Sequence, residues 1–145
     1  MKVLIICSTT FYDKINQIKL QLEEHNHIVK TPNCYDHPVT NQDYNEMNSQ
    51  EYLDFFRQMY YESKKAIKQV DAVVVLNFDK EKQGIKYSNY IGASTFLEMY
   101  EAYMQNKQIY LFNDLPDKNN ILLDEIRGFN PILIQQNIMN IVDNQ

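Results

Sequence analysis

The chain has 145 residues, of which 44% are hydrophobic, and this is the size and composition of one globular domain with its own core. Its 19 acidic residues outnumber its 14 basic ones, which argues against a nucleic-acid partner because phosphate backbones are bound by concentrated Lys and Arg. The low content of Gly and Pro, three and four residues, argues against an all-β protein with many tight turns.

The first thirty residues predict a βαβ unit. Residues 2–7 form a short apolar run, which is typical of a central parallel strand buried on both faces. Apolar residues then recur at helical spacing over 13–24, and this predicts an amphipathic helix. A second strand is predicted over 27–31, and the crossover between the two strands should be right-handed.

The middle of the chain predicts a long loop and a long aromatic helix. Residues 32–47 have no clear periodicity, and a loop of that length is usually functional or mobile. Asn48 or Ser49 is a suitable cap for a helix that runs to about Lys68. This helix holds more aromatic residues than one core-facing stripe requires. Ordinary packing and a subunit interface both explain the excess, and an interface predicts a homodimer or a higher homo-oligomer.

The remaining elements continue the alternation of strand and helix. Residues 71–77 contain the strongest strand, a second long loop covers 78–93, and a helix begins at Ser94 or Thr95 and ends near Asn106. Further elements are predicted as strands over 108–112 and 132–134, a short helix over 121–126 and a closing helix over 137–142. The fold prediction is α/β: a single domain over 1–145, a three-layer sandwich around a parallel, flavodoxin- or Rossmann-like sheet of about five strands, with strand order 2-1-3-4-5.

A sheet with this order predicts a ligand crevice between the carboxyl ends of its first and third strands. Segments 8–12 and 77–94 converge there. Gly92 gives the backbone freedom for a close approach to a ligand, and the helix that follows offers free N–H groups to an anion. Ser94 and Thr95 add hydroxyl donors. The chain has neither a GxGxxG nor a Walker motif, so dinucleotide-binding and P-loop functions are not predicted.

Glu98 has two interpretations. A carboxylate at the rim of the crevice can act as a nucleophile or a general base. Thr95 to Glu98 also fits a capping box, in which the carboxylate accepts a hydrogen bond from the backbone of the cap. On a helical wheel, Glu98 lies nearly opposite an apolar face formed by Phe96, Met99, Tyr100 and Tyr103. Spacing alone therefore favours the cap.

The segment 71–116 resembles the nucleoside 2-deoxyribosyltransferase-like superfamily. The matching parts are the strand at 71–77, the turn and helix at 92–102, and the strand at 107–111. Glu98 falls on the catalytic glutamate of that family, which attacks the anomeric carbon of a deoxyribonucleoside. Three features depart from the family pattern: the Asp usually found shortly before this glutamate is absent from 90–94, Tyr100 replaces a Gly, and the first loop, at 8–12, lacks the Gly-Pro often found there.

The resemblance implies cleavage or transfer of the N-glycosidic bond of a nucleoside or nucleotide, with Glu98 as nucleophile. The alternative is a non-catalytic module of the same fold that binds a nucleotide or a sugar phosphate. The residues expected to bind the substrate are Ser8, Thr9, Phe11, Asn77, Asp79, Gly92, Ser94, Thr95 and Asn113.

The expected partner is a small molecule, with no cofactor and no metal. The two cysteines, Cys7 and Cys34, do not make a disulfide framework, which indicates a reducing cytoplasm. No apolar stretch approaches the ~20 residues that a membrane span needs, so no membrane association is expected.

Overall fold

The computed structural model describes residues 1–142 and contains a five-stranded parallel sheet and a separate two-stranded hairpin. The strands are β1 (Lys2–Ile6), β2 (Ile28–Lys30), β3 (Ala72–Val75), β4 (Lys80–Lys82), β5 (Ile85–Tyr87), β6 (Gln108–Leu111) and β7 (Ile132–Leu133). The helices are α1 (Ile15–Glu24), α2 (Asn41–Glu46), α3 (Ser49–Lys68), α4 (Ala93–Met104) and α5 (Leu123–Gly128).

The order of strands in the large sheet is β2-β1-β3-β6-β7, and all neighbours are parallel. The hairpin strands β4 and β5 pair only with each other. Without them the order is 2-1-3-4-5, so the predicted fold class and strand order are confirmed.

The sheet is covered on both faces because Val3 to Ile6 of β1 and every residue of β3 are apolar and buried. Alternate residues of a strand point to opposite faces. Val3 and Ile5 of β1 accordingly pack in the core layer under α1, whereas Leu4 and Ile6 pack in the layer with α3, α4 and α5. These two cores give the three-layer sandwich that the sequence predicts.

Both long loops contain structure that the sequence analysis did not predict. Within 32–47, Thr40 and Asp43 form a reciprocal capping box that starts α2. Within 78–93, β4 and β5 join through Gln83 and Gly84, which both have positive φ, as a two-residue hairpin turn requires.

Two predicted helices differ in extent from the structure. The helix predicted from Asp13 begins at Ile15, because Thr9–Lys14 forms a 3-10 turn. The predicted closing helix over 137–142 is wrong, since this segment contains only the short 3-10 turn Ile138–Asn140. Asn137 caps that turn by accepting a hydrogen bond from Met139 N.

We expect Ile5→Ala to lower the free energy of unfolding by about 2–5 kcal/mol, because the side chain is fully buried in a central strand and its removal leaves a cavity. Leu20→Ala on α1 is the control, since this side chain is 50% exposed, and it should change stability by only about 0.5 kcal/mol. Urea denaturation measures both. Equal losses in the two variants would contradict the two-sided burial of β1.

Candidate active site

A cavity of about 300 Å³ lies beyond the carboxyl end of β1 and is bounded by the start of α4, the inner face of α3 and the segment after β2. Its lining includes Cys7, Ser8, Thr9, Tyr12, Asn33, Cys34, Tyr44, Phe55, Phe56, Met59, Tyr90, Gly92, Ser94, Thr95 and Glu98. The cavity thus lies where the doubly wound topology places a ligand site.

The start of α4 presents backbone N–H groups to this cavity. Gly92 is the N-cap residue, and no side chain caps the helix. The first-turn residues Ala93, Ser94 and Thr95 all line the cavity. A helix start carries partial positive charge, so this wall favours hydroxyl oxygens or anions of a ligand.

Gly92 also makes room for an aromatic side chain. A Cβ atom at this position would lie 3.2 Å from the hydroxyl oxygen of Tyr90, so any larger residue would displace the tyrosine ring. The ammonium group of Lys80, on the hairpin, lies 4.7 Å from the centre of the same ring. Tyr90 is therefore held against the cavity wall by contacts with Gly92 and Lys80.

Glu98 is not a capping residue. Because α4 begins at Ala93, Glu98 lies in its second turn, beyond reach of the Gly92 N–H. Glu98 Oε2 instead accepts a hydrogen bond from Ser63 Oγ on α3, at 3.2 Å. The predicted apolar face was correct for Met99, which is buried, and for Phe96, which packs against the core, but wrong for Tyr100 and Tyr103, which are exposed. The other buried positions of α4 are Thr95 and Ala102, and Glu98 adjoins this stripe on the side that faces α3.

Burial raises the pKa of Glu98 from 4.5 to about 7, although the hydrogen bond from Ser63 acts in the opposite direction. Burial, reinforced by the charge of Glu98, also raises the pKa of Cys7 to about 12 and the pKa of Tyr12 above its ordinary value. Burial is the main cause of the raised pKa of Cys34 as well. These three groups are protonated at neutral pH, so Glu98 is the lining group whose pKa has been brought close to 7.

Aromatic rings from α2 and α3 form one wall of the cavity that Glu98 also lines. Tyr44 lies 5.8 Å from Phe55 and 6.2 Å from Phe56, measured between ring centres. The ring of Tyr12 contacts Tyr35 in an edge-to-face arrangement. A flat heterocycle can stack on such a wall. The aromatic excess of α3 was the sequence signal for Phe55 and Phe56, which line the cavity.

Six of the ten predicted site residues line this cavity: Ser8, Thr9, Gly92, Ser94, Thr95 and Glu98. The other four, Phe11, Asn77, Asp79 and Asn113, lie outside its lining. Phe11 is buried against Phe78, and Asp79 accepts a hydrogen bond from the backbone N–H of Asn89. Their observed contacts are with the scaffold of the site.

Asn77 and Asn113 join the ends of two neighbouring strands. Asn77 is fully buried, its Oδ1 accepts from the Asn113 N–H at 2.9 Å, and its Nδ2 donates to the carbonyl oxygen of Asp114 at 2.8 Å. Asn113 Nδ2 donates in turn to the Asn77 carbonyl at 2.8 Å. Because both the oxygen and the nitrogen of the Asn77 side-chain amide make hydrogen bonds to 113–114, this side chain fastens the end of β3 to the end of β6.

A second cavity, of about 400 Å³, lies on the outer side of the same helices. Its lining includes Tyr60 and Ser63 from α3 and Leu97 and Tyr100 from α4. Glu98 lines both cavities, so its side chain lies between the inner cavity and this outer groove.

Within residues 1–142, no three or more His, Cys, Asp or Glu side chains are grouped so as to hold a metal ion. No helix there combines the length and the apolar character required to cross a bilayer.

Two solved structures share this fold. A 2-deoxyribosyltransferase from Bacillus psychrosaccharolyticus aligns over 77% of this chain and 71% of its own, with a TM-score of 0.50 and 17% identity. The CMP N-glycosidase BcmB from Clostridium botulinum aligns over 97% of both chains, with a TM-score of 0.50 and 16% identity. No family model and no curated protein matches the sequence. The fold that the sequence resemblance implied is therefore confirmed.

The raised pKa of Glu98 has a consequence for stability. Between pH 4.5 and about 7 the folded protein retains a proton that the unfolded chain has lost, so this group lowers the free energy of unfolding as pH rises. Glu98→Gln removes that charge. We expect the variant to match the wild type near pH 4 and to exceed its stability at pH 8 by roughly 1–3 kcal/mol.

Urea denaturation from pH 4 to pH 8 measures this difference. Glu125→Gln on α5 is the matched control, because Glu125 is exposed, and its stability relative to the wild type should not vary with pH in the same way. A Glu98→Gln difference that is constant across the range would contradict a raised pKa.

Proposed function

We propose that this protein cleaves the N-glycosidic bond of a nucleoside or nucleotide, with Glu98 as the nucleophile. The observation that carries the proposal is a partly buried carboxylate, with a pKa near 7, in a cavity that also contains an uncapped helix start and an aromatic wall. The fold shared with a 2-deoxyribosyltransferase and a CMP N-glycosidase supports the same class of reaction.

The proposed reaction begins with the ionised Glu98. Its carboxylate oxygen attacks the anomeric carbon while the bond to the base breaks and the bonding electrons leave with the base. The transition state has oxocarbenium character, which a nearby carboxylate stabilises. The departing base must gain hydrogen bonds or a proton. The phenol of Tyr12 stays protonated at neutral pH and lines the same cavity, so we assign it as a hydrogen-bond donor.

The rest of the lining is assigned to substrate binding. The aromatic wall of Tyr44, Phe55 and Phe56 is suited to the base. The N–H groups at the start of α4, together with the hydroxyls of Ser94 and Thr95, are suited to the oxygens of the sugar. Attack on the glycosyl-enzyme by water completes a hydrolysis, and attack by a second base completes a transfer.

The alternative function is a binding module that retains this cavity without turnover. The absence of a carboxylate from 90–94, which leads into the first turn of α4, favours it, since the family resemblance implies an Asp in that region. The two functions separate cleanly by experiment because binding does not require an ionised Glu98.

The test is base release from a panel of nucleosides, deoxynucleosides and their 5′-monophosphates, with and without a free acceptor base, followed by chromatography. We expect release by the wild type and a loss of at least about 10³-fold in Glu98→Gln, because an amide is a poor nucleophile. Glu125→Gln should keep wild-type turnover. Dependence on the acceptor identifies a transferase. No release from any substrate, with ligand binding retained, would identify the binding module.

We also propose that the chain forms a homodimer through the outer surface of α3 and α4. Leu53 and Tyr60 of α3 and Leu97, Tyr100 and Met104 of α4 are all 44–58% exposed. Their spacing places them on one side of each helix, beside the outer groove. An apolar face of this kind fits a two-fold interface.

A cytoplasmic location is also part of the proposal, and the free thiols Cys7 and Cys34 agree with it.

Light scattering at about 10 µM should give twice the 17.3 kDa mass of one chain. Tyr60→Glu should reduce the mass to that of a monomer, because it places a charge in the centre of the apolar face. Ile121→Glu is the control, since Ile121 is 92% exposed and lies outside this face. A wild type that is already monomeric would overturn the dimer.

A further inference from the structure

Ser63 is a hydrogen-bond partner of the Glu98 carboxylate, and it lies on a different helix. Ser63 Oγ donates to Glu98 Oε2 at 3.2 Å, and both groups are partly buried. The same hydroxyl oxygen accepts a hydrogen bond from Asn33 Nδ2 at 3.0 Å. Three side chains from the segment after β2, from α3 and from α4 therefore form a continuous chain of hydrogen bonds.

The hydrogen bonds that run from Asn33 through Ser63 to Glu98 have a fixed direction. An amide nitrogen only donates hydrogen bonds and an ionised carboxylate only accepts them. The Ser63 hydroxyl therefore receives a hydrogen bond from Asn33 and directs its own proton towards Glu98. Successive hydrogen bonds of this kind polarise one another, so the donation from Asn33 strengthens the donation to Glu98.

We propose that Ser63 and Asn33 are positioning residues, which hold the Glu98 carboxylate in the ionised form and in a single orientation for attack on the sugar. This inference rests on the proposed function of Glu98 as a nucleophile. With one oxygen engaged by Ser63, the other oxygen is the one left to face the anomeric carbon. Neither positioning residue contacts the reacting atoms in this scheme.

The electrostatic surroundings of Glu98 agree with this role. Burial raises the pKa of Glu98, and the hydrogen bond from Ser63 is the influence that opposes it. Beside Glu98, the titratable groups that line the two cavities are Cys7, Tyr12, Cys34, Tyr44, Tyr60 and Tyr90 from other segments, and Tyr100 and Glu101 from α4 itself. Since this set contains no basic side chain, no cation among the described residues lining the two cavities holds Glu98 ionised in place of Ser63.

The arrangement also connects the segment after β2 to the nucleophile. Pro32 and Cys34, on either side of Asn33, line the inner cavity, and Cys34 Sγ contacts Met59 Sδ of α3 at 3.4 Å. A ligand that displaces this segment would therefore disturb the hydrogen bond to Ser63. Contact with substrate and orientation of Glu98 are thus coupled through Asn33.

The test compares Ser63→Ala, Ser63→Thr and Asn33→Ala with the wild type. The first readout is the titration of the Glu98 carboxyl by ¹³C NMR, with the resonance assigned by its loss in Glu98→Gln. The second readout is the pH dependence of kcat on the best substrate of the panel. Gln58→Ala is the control, because Gln58 is exposed on α3 and pairs only with the surface residue Glu62.

We expect Ser63→Ala to move both the titration of Glu98 and the acid limb of the kcat profile to higher pH. Because less of Glu98 is then ionised at pH 7, kcat at that pH should fall about five- to tenfold, with little change in KM. Ser63→Thr, which keeps the hydroxyl, should restore both values. Asn33→Ala should move both in the same direction by a smaller amount, and Gln58→Ala should move neither.

The two proposals fail in different ways. An unmoved Glu98 titration in a folded Ser63→Ala variant would overturn the positioning role, as would a loss of kcat by the same factor at every pH. A wild type that releases no base would overturn the proposed reaction, and with it the catalytic role of the Asn33–Ser63–Glu98 hydrogen bonds. In that case the NMR titration would still show whether Ser63 and Asn33 control the ionisation of Glu98.

Discussion

The parallel pairing of β1 with β3 is the contact on which the site depends. Ile5 faces Val74 and Ile6 faces Val75 across the two strands, and all four side chains are fully buried. Parallel strands end at the same edge of a sheet, so the segments that leave β1 and β3 emerge side by side. The Asn77–Asn113 hydrogen bonds then fasten the end of β3 to the end of β6. The strand pairing and these hydrogen bonds together place the start of α4 beside the cavity.

The site retains a charge in surroundings that oppose it. A carboxylate removed from water favours its protonated form, and Glu98 follows this rule with a pKa near 7. A cap at the start of α4 would have stabilised the charge, but Glu98 lies one turn too far along the helix. The ionised Glu98 therefore lowers the free energy of unfolding at neutral pH, which an apolar or ion-paired residue at this position would not do. Such a loss of stability is typical of residues retained for chemistry.

The sequence predicted the sheet and its strand order because those features depend on long apolar runs and on their alternation with helices. It also predicted that 8–12 and the start of α4 converge, since topology alone determines which strand ends are neighbours. The hairpin of β4 and β5 was missed because its strands have three residues each and little apolar character. Its Gln83–Gly84 turn was the available local signal.

Ser63 could not have been found in the same way. A serine in the middle of an amphipathic helix has no periodic signature, and its partners lie 30 and 35 residues away in the chain. Its role depends on how α3 packs against α4, which is tertiary information. The wheel of α4 was wrong at two positions for a related reason, because Tyr100 and Tyr103 are exposed while the smaller Thr95 and Ala102 are buried.

Helix α3 lines the inner cavity with one face and exposes apolar side chains on another. Phe55, Phe56 and Met59 line the inner cavity, whereas Leu53 and Tyr60 lie on its outer side. Under the proposed function and the proposed dimer, substrate preference and quaternary structure would change through the same twenty residues in divergent descendants of this chain. A transplant of α3 alone between such descendants would separate its two faces from the partners with which each had evolved. Laboratory recombination should accordingly exchange α3 together with α4 as one block.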